Sequence, residues 1–322
     1  MDSGWFERRT HQWSDWRPEL LADLKHRSGT TVSLVIPARD EEATVGEVVS
    51  RVRTELVERI PLVDELVVMD SDSTDTTATR ARQAGATVHH VADVRPDLGH
   101  HHGKGEAMWK SLFDTSGQVM SFLDADLVEW DTHFVSGLLG PLLTDPGIAL
   151  VKAFYDRVLD RSDAPSTLEG GRVTELVARP TLALRWPELS GVVQPLSGEW
   201  AIRRELFEEL SVPTGYGVEL AVLVDTFLRR GVDAVAQVGM GRRAHHHQSL
   251  HGLGTMAAEL LAVADRRVGL GPKDDTVQLR QYGAEGMPMT STLALTERMP
   301  ATKVGPAPSH TQTHEQEAVG RC

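Results

Sequence analysis

The sequence predicts an α/β protein built on a mostly parallel, Rossmann-like sheet flanked by helices. Three observations carry that prediction. Short apolar runs alternate with helical patterns from Thr31 to about residue 150. The runs and helices have the lengths expected of βαβ units. Acidic clusters follow the runs, at the strand ends where parallel sheets hold their ligands. With 322 residues the chain can form one large α/β domain or two smaller ones.

The elements follow in order. Residues 1–30 carry Trp5, Trp13 and Trp16 among charges, the pattern of a short helix anchoring the terminus to its own core or to a partner subunit. Val32–Pro37 is the first strand, followed by a helix from about Glu41 to Val57. Leu66–Met69 is the second, leading into Asp70-Ser71-Asp72-Ser73-Thr74-Asp75 and a helix that ends at Ala84. Ala86–Val91 is the third strand, Gly103–Thr115 a helix, and Val119–Leu123 the fourth strand, which stops at Asp124-Ala125-Asp126. The second half is less regular. Ile148–Phe154 and Val232–Val238 read as strands, Val218–Arg230 and Ser249–Val268 as helices, and 160–171 as a loop. Beyond about Pro300 the polar, Pro/Thr/His/Gln-rich composition predicts disorder. The expected division is an N-terminal segment 1–30, a binding part 31–150, a second part 151–270 and an extension 271–322.

Composition narrows the function classes. Thirty-three Lys+Arg against 46 Asp+Glu give a net charge of −13, which argues against nucleic acid or an anionic membrane as main partner. A local basic pocket for a small anion is still compatible. The only cysteine is the last residue, Cys322, so a disulfide framework, a Cys-rich metal site and a Cys nucleophile are not expected, as suits a reducing cytoplasm. The N-terminus lacks the apolar core of a signal peptide, and no apolar stretch reaches the ~18 residues of a membrane span. A soluble, cytoplasmic protein is the expectation.

Several residue types point to chemistry. Asp124 and Asp126 at a strand end offer hard oxygen ligands for a divalent cation, which suits a diphosphate; a plain turn uses the same residues. Asp70, Asp72 and Asp75 either face a ligand or cap the next helix. Lys104 lies between Gly103 and Gly105 just before a helix, where small neighbours let backbone approach a ligand and the ammonium favours an anion; an exposed loop lysine is the alternative. Arg172 presents a planar fork for phosphate or carboxylate, with Thr174 a hydroxyl nearby. Glu219 stands at a helix start, where the dipole alone favours a carboxylate. The run His245–His247 is internal, unlike a terminal tag, and His100–His102 reads as a polar loop.

The segments VSLVIPARDEEATV (32–45), ELVVMDSDSTDTT (65–77) and FLDAD (122–126) resemble the nucleotide-sugar-binding part of the A-type glycosyltransferase fold. HGKGEAMWKS (102–111), GGRVTELVARP (170–180), QPLSGEWA (194–201), GYGVELAVLVD (215–225) and RRAHHHQSL (242–250) narrow the likeness. Together, over about residues 30–270, they resemble the glucosyl-3-phosphoglycerate synthase family, retaining enzymes of actinobacteria. The resemblance implies a homodimer that moves glucose from UDP-glucose to the 2-hydroxyl of 3-phosphoglycerate, feeding glucosylglycerate and methylglucose polysaccharide synthesis. It implies that Pro37, Ala38, Arg39 and Glu41 hold the uracil and ribose with Asp70 and Ser71, and that Asp124 and Ala125 serve the donor too. Asp126 and His245 would bind Mg2+ or Mn2+. Lys104, Glu219 and Leu196 would stand at the reacting centre, Lys104 and Glu219 touching the donor. Gly171, Arg172, Thr174, Tyr216, Arg243 and His247 would hold the acceptor. Rival expectations are an inverting or mannosyl-type transferase on the same scaffold, and a non-catalytic nucleotide-sugar sensor.

Overall fold

The structure, a computed structural model, describes residues 3–158, 171–244 and 249–307. In chain order its elements are α1 (Ser3–Arg9), β1 (Thr10–Gln12), α2 (Pro18–Ser28), β2 (Val32–Ala38), α3 (Val45–Val52), β3 (Glu65–Asp70), α4 (Thr77–Ala84), β4 (Thr87–His90), α5 (Lys104–Lys110), β5 (Val119–Phe122) and α6 (His133–Thr144). There follow β6 (Leu150–Val158), α7 (Arg179–Arg185), β7 (Trp200–Arg203), α8 (Arg204–Glu209), β8 (Val212–Pro213), α9 (Val218–Arg230), β9 (Val235–Ala244), α10 (Leu250–Arg267), β10 (Thr276–Tyr282), β11 (Pro288–Ala294) and β12 (Glu297–Arg298).

One sheet of eight strands, in the order β1-β9-β6-β7-β5-β2-β3-β4, organises the chain. Every pairing is parallel except the two made by β7. Side chains alternate across the sheet: Leu34 and Ile36 of β2 join one core with α2, α3 and α6, while Val35 joins the other with α5, α8 and α9. Burial on both faces explains why these strands read as unbroken apolar runs.

The topology locates the crevice. From β2 the chain moves through β3 to β4 on one side, then returns to place β5 on the other side of β2. Ligands bind at such a reversal, outside the carboxyl ends of the strands. Arg39–Glu41, Ser71–Asp75 and Asp124–Asp126 all follow β2, β3 and β5 at that edge.

Trp5 and Trp16 anchor the N-terminal segment on its own core, while Trp13 is exposed. Trp5 is buried, and its Nε1–H donates to the Val232 and Val235 carbonyls at 2.9 and 3.2 Å. β1 then adds to the sheet edge at β9.

Two features depart from the sequence-based expectation. The first turn of the second-half strand is a 3-10 turn at Val232–Ala234, and the strand starts at Val235. The chain beyond Pro300 is not disordered at once: a 3-10 turn at Ala301–Lys303 follows, and Ala301 and Val304 pack on the core. Arg298 pairs with buried Glu106 at 2.6 Å and Trp109 Nε1–H donates to Met299 O at 3.0 Å. The extension therefore clamps α5 from outside. Of the expected 160–171 loop, only Gly171 is among the described residues.

Candidate active site

Lys104 is the hub of the site. It opens α5, Asp124 follows β5, and Glu219 lies in the first turn of α9. The ammonium stands 2.6 Å from Asp124 Oδ1 and 3.0 Å from Glu219 Oε1, with its side chain 23% exposed. Burial alone would depress its pKa. The two contacting carboxylates outweigh burial and lift it above its ordinary value. Lys104 therefore stays cationic at any physiological pH.

Gly198 passes directly beside this pair. A Cβ there would stand 2.4 Å from Asp124 Oδ2 and 2.7 Å from Lys104 Nζ. Behind it lies a buried polar layer that sequence reasoning missed. Lys152, near the start of β6, donates to Ser197 O at 2.7 Å. Glu199 is fully buried and accepts from Tyr155 Oη at 3.1 Å and from Ser197 Oγ at 3.3 Å. Burial pushes the Lys152 ammonium down to about 7 against the opposing pull of Glu219. A lysine and a glutamate inside otherwise apolar strand segments were the available signal, since such residues are seldom fully buried without a partner.

The acidic rim has the chemistry of a cation site. The pKa of Glu41 is raised by burial and then by Asp126 and Asp124, so three carboxylates face one space and repel one another. A divalent cation with oxygen preference fits that donor set. Asp126 is exposed at the rim. His245, the second expected ligand, lies outside the described residues, as does His247.

The other donor residues fall at the strand ends. Pro37 and Ala38 pair in register with Met69 and Asp70, and Ser71 N–H donates to Ala38 O at 2.9 Å. Arg39 is exposed beside Asp40. Ala125 is buried between the two aspartates. Asp70 is buried with Oδ2 2.9 Å from His90 Nδ1, and its Oδ1 has no hydrogen-bond partner. Only Asp75 of the second acidic cluster caps the following helix, accepting the Thr77 N–H at 2.8 Å.

One expectation is corrected here. The glycines flanking Lys104 do not open space for a ligand. A Cβ on Gly105 would stand 1.8 Å from Pro213 O, and one on Gly103, at φ 133°, 2.3 Å from Thr214 O. Glu106 N–H also donates to Thr214 O at 3.0 Å. The helix start is packed against the backbone before α9, which fixes Lys104 relative to Glu219.

The expected acceptor residues sit on neighbouring elements. Gly171, in the left-handed region at φ 84°, precedes exposed Arg172 and the π-helical turn Thr174–Ala178, where Thr174 is buried. The Tyr216 ring is exposed, and its N–H donates to Glu259 of α10 at 2.9 Å. α10 packs on both α9 and the π-helical turn, so it brackets the two groups. Arg243 pairs in register with Arg157 near the end of β9. Leu196 is partly buried against the core beneath the site.

The glycosyl transferase family 2 model matches residues 33–211. Glucosyl-3-phosphoglycerate synthase of Mycolicibacterium smegmatis is 46% identical over 301 residues, 92% of this chain and 97% of the relative. The chain belongs to this family. Glucosyl-3-phosphoglycerate synthase of Mycobacterium tuberculosis, solved with Mn2+, UDP-glucose and phosphoglyceric acid, superimposes with a TM-score of 0.79 at 44% identity, covering 89% of this chain and 95% of that one. The same enzyme with Mg2+ and UDP gives 0.81 at 42% identity, covering 91% and 98%. The expected A-type, mostly parallel α/β architecture is thereby established for this glucosyl-3-phosphoglycerate synthase family member.

Proposed function

We propose that this chain transfers glucose from UDP-glucose to the 2-hydroxyl of 3-phosphoglycerate, retaining the α configuration. The observation that carries this reading is Lys104, held cationic between Asp124 and Glu219 beside the acidic rim, in a chain whose relatives are glucosyl-3-phosphoglycerate synthases. Asp126, with His245, would hold Mg2+ or Mn2+, which would neutralise charge on the donor diphosphate.

Lys104 supplies a fixed positive charge where the leaving diphosphate gains a negative one, without reorganising as the bond breaks. Glu219 orients that ammonium and offers its carboxylate to the glucosyl hydroxyls. Arg172, Thr174 and Arg243 orient the acceptor anions, and Tyr216 covers the pocket. Among the described residues the carboxylates nearest Lys104 are not placed as nucleophiles: Glu219 and Asp124 are engaged by Lys104, and Glu199 is sealed in the core. A same-face substitution follows. The bond from the anomeric carbon to the diphosphate oxygen breaks, the acceptor oxygen bonds to that carbon on the same side, and the acceptor proton passes to the departing phosphate.

The chain is read as a cytoplasmic homodimer; among the described residues no helix is long and apolar enough to cross a membrane. Exposed apolar side chains on α10 and the β10–β11 hairpin, including Leu250, Tyr282 and Met289, favour that face for the second copy. The test of function is an end-point assay with UDP-glucose, Mg2+ and 3-phosphoglycerate, read by NMR. An α-linked glucosyl-3-phosphoglycerate that disappears with EDTA is expected. A β-linked product would favour the inverting rival, and UDP-glucose binding without turnover would favour a sensor.

A further inference from the structure

We propose that Asp72, His100 and His102 form a second cation site, selective for a borderline transition metal of the Zn2+ type. Asp72 follows β3, and the two histidines lie on the loop that leads into Lys104. Their ligand atoms all fall within 4.8 Å of one another. Asp72 Oδ2 is 2.7 Å from His100 Nε2 and 3.3 Å from His102 Nδ1. A tetrahedral ion with bonds of about 2.0–2.1 Å holds its ligand atoms about 3.3 Å apart, so small side-chain movements close the set around an ion and leave one position for water.

The surroundings favour a cation. Among the described residues the only ion-pair partners of Asp72 are these two imidazoles. His100 Nδ1 is buried without a hydrogen-bond partner, so the hydrogen bond that orients this ring runs through Nε2, the atom offered to the ion. The rings stand edge to face at 5.1 Å. Two imidazoles and one carboxylate suit Zn2+, Ni2+ or Co2+, whereas the carboxylate-rich rim at Glu41, Asp124 and Asp126, with at most the one imidazole of His245, suits Mg2+ or Mn2+. The two sites therefore sort metals by ligand chemistry. An ion at Asp72 would tie the loop carrying Lys104 to the end of β3.

The test is a Co2+ titration of the full chain in excess Mg2+, which fills the oxygen-rich rim, followed by the visible absorption of four-coordinate Co2+. His102→Gln keeps the Asp72–His100 bond and removes one ligand; the second variant is H100Q/H102Q. We expect wild type to bind one more Co2+ per chain than H100Q/H102Q. His102→Gln should weaken it at least about tenfold, since even outer partners of a metal site are worth that much. Zn2+ should displace the band and raise the melting temperature of wild type only. Equal Co2+ uptake by wild type and the folded double variant would overturn the site, as would a wild type with no four-coordinate band. Binding is read without sugar substrates, so this result and the glucosyl-transfer assay succeed or fail separately.

Discussion

The centre of the site and its rim are built on opposite principles. At the centre, Lys104, Asp124 and Glu219 already contact one another, and Gly198, Lys152 and Glu199 close the space behind them. At the rim, Asp126, Arg39, Arg172 and Tyr216 are exposed. Pairing at the centre fixes geometry before any ligand arrives, which is what electrostatic preorganisation requires. Like charges at the rim, where Glu41 feels both Asp126 and Asp124, leave an unfavourable field that a cation relieves. Substitutions at the centre should therefore cost folding as well as rate, and those at the rim only function.

Asp126→Ala gives the largest functional effect. Removing the proposed metal ligand should lower kcat by about a thousandfold or more, the scale of several kcal/mol of charge stabilisation, with the melting temperature unchanged. A variant that turns over normally would break the rim assignment. Lys104→Met sharpens the contrast, because it strands two carboxylates: about 2–3 kcal/mol of stability should go with the rate, as for lost charged hydrogen bonds. Denaturant unfolding checks this, and an unchanged midpoint would mean that the centre is not preformed. Gly198→Ala tests the same point without changing a charge. Its methyl must displace Asp124 or Lys104, and a misplacement near 1 Å costs about a hundredfold in rate. At the rim, Arg172→Ala should raise the acceptor KM about tenfold, the scale of one charged hydrogen bond, leaving the donor KM alone; a donor-side effect would relocate the acceptor pocket.

Much of this contrast was legible in the sequence, for a physical reason. Strands buried on both faces, such as Val32–Ala38, announce themselves as apolar runs, and acid groups at their ends mark the edge where ligands bind. Asp124, Lys104 and Glu219 each stand out in the sequence as candidates, and only folding reveals that they touch. α6 was missed because Gly137, Gly140 and Pro141 interrupt its pattern; nine of its residues are nonetheless buried, and packing overrides propensity there. The β10–β11 hairpin was missed although Thr276–Tyr282 alternates in burial. Gly198 is illegible, and Lys152 shows only as a lysine within an apolar run, because their roles depend on the antiparallel β7 being inserted between β5 and β6.

A pH dependence separates the two lysines at the centre. Lys104 touches two carboxylates and is lifted above its ordinary value, while Lys152 has a carbonyl for its contact and is pushed down to about 7. Between that value and the ordinary 10.5 of an unfolded lysine, the unfolded chain holds a proton that the folded chain has released. Stability must then rise with pH across this window, by at most about 1.4 kcal/mol per pH unit for one proton, and level off below it. Lys152→Met abolishes the titration and leaves only a pH-independent penalty for the unpaired Ser197 carbonyl. Urea unfolding of both proteins from pH 7 to 9.5 should therefore show curves that diverge as pH rises, wild type gaining on the variant. Parallel curves would mean that Lys152 keeps its proton in the fold, and that the centre holds two cations against its carboxylates rather than one.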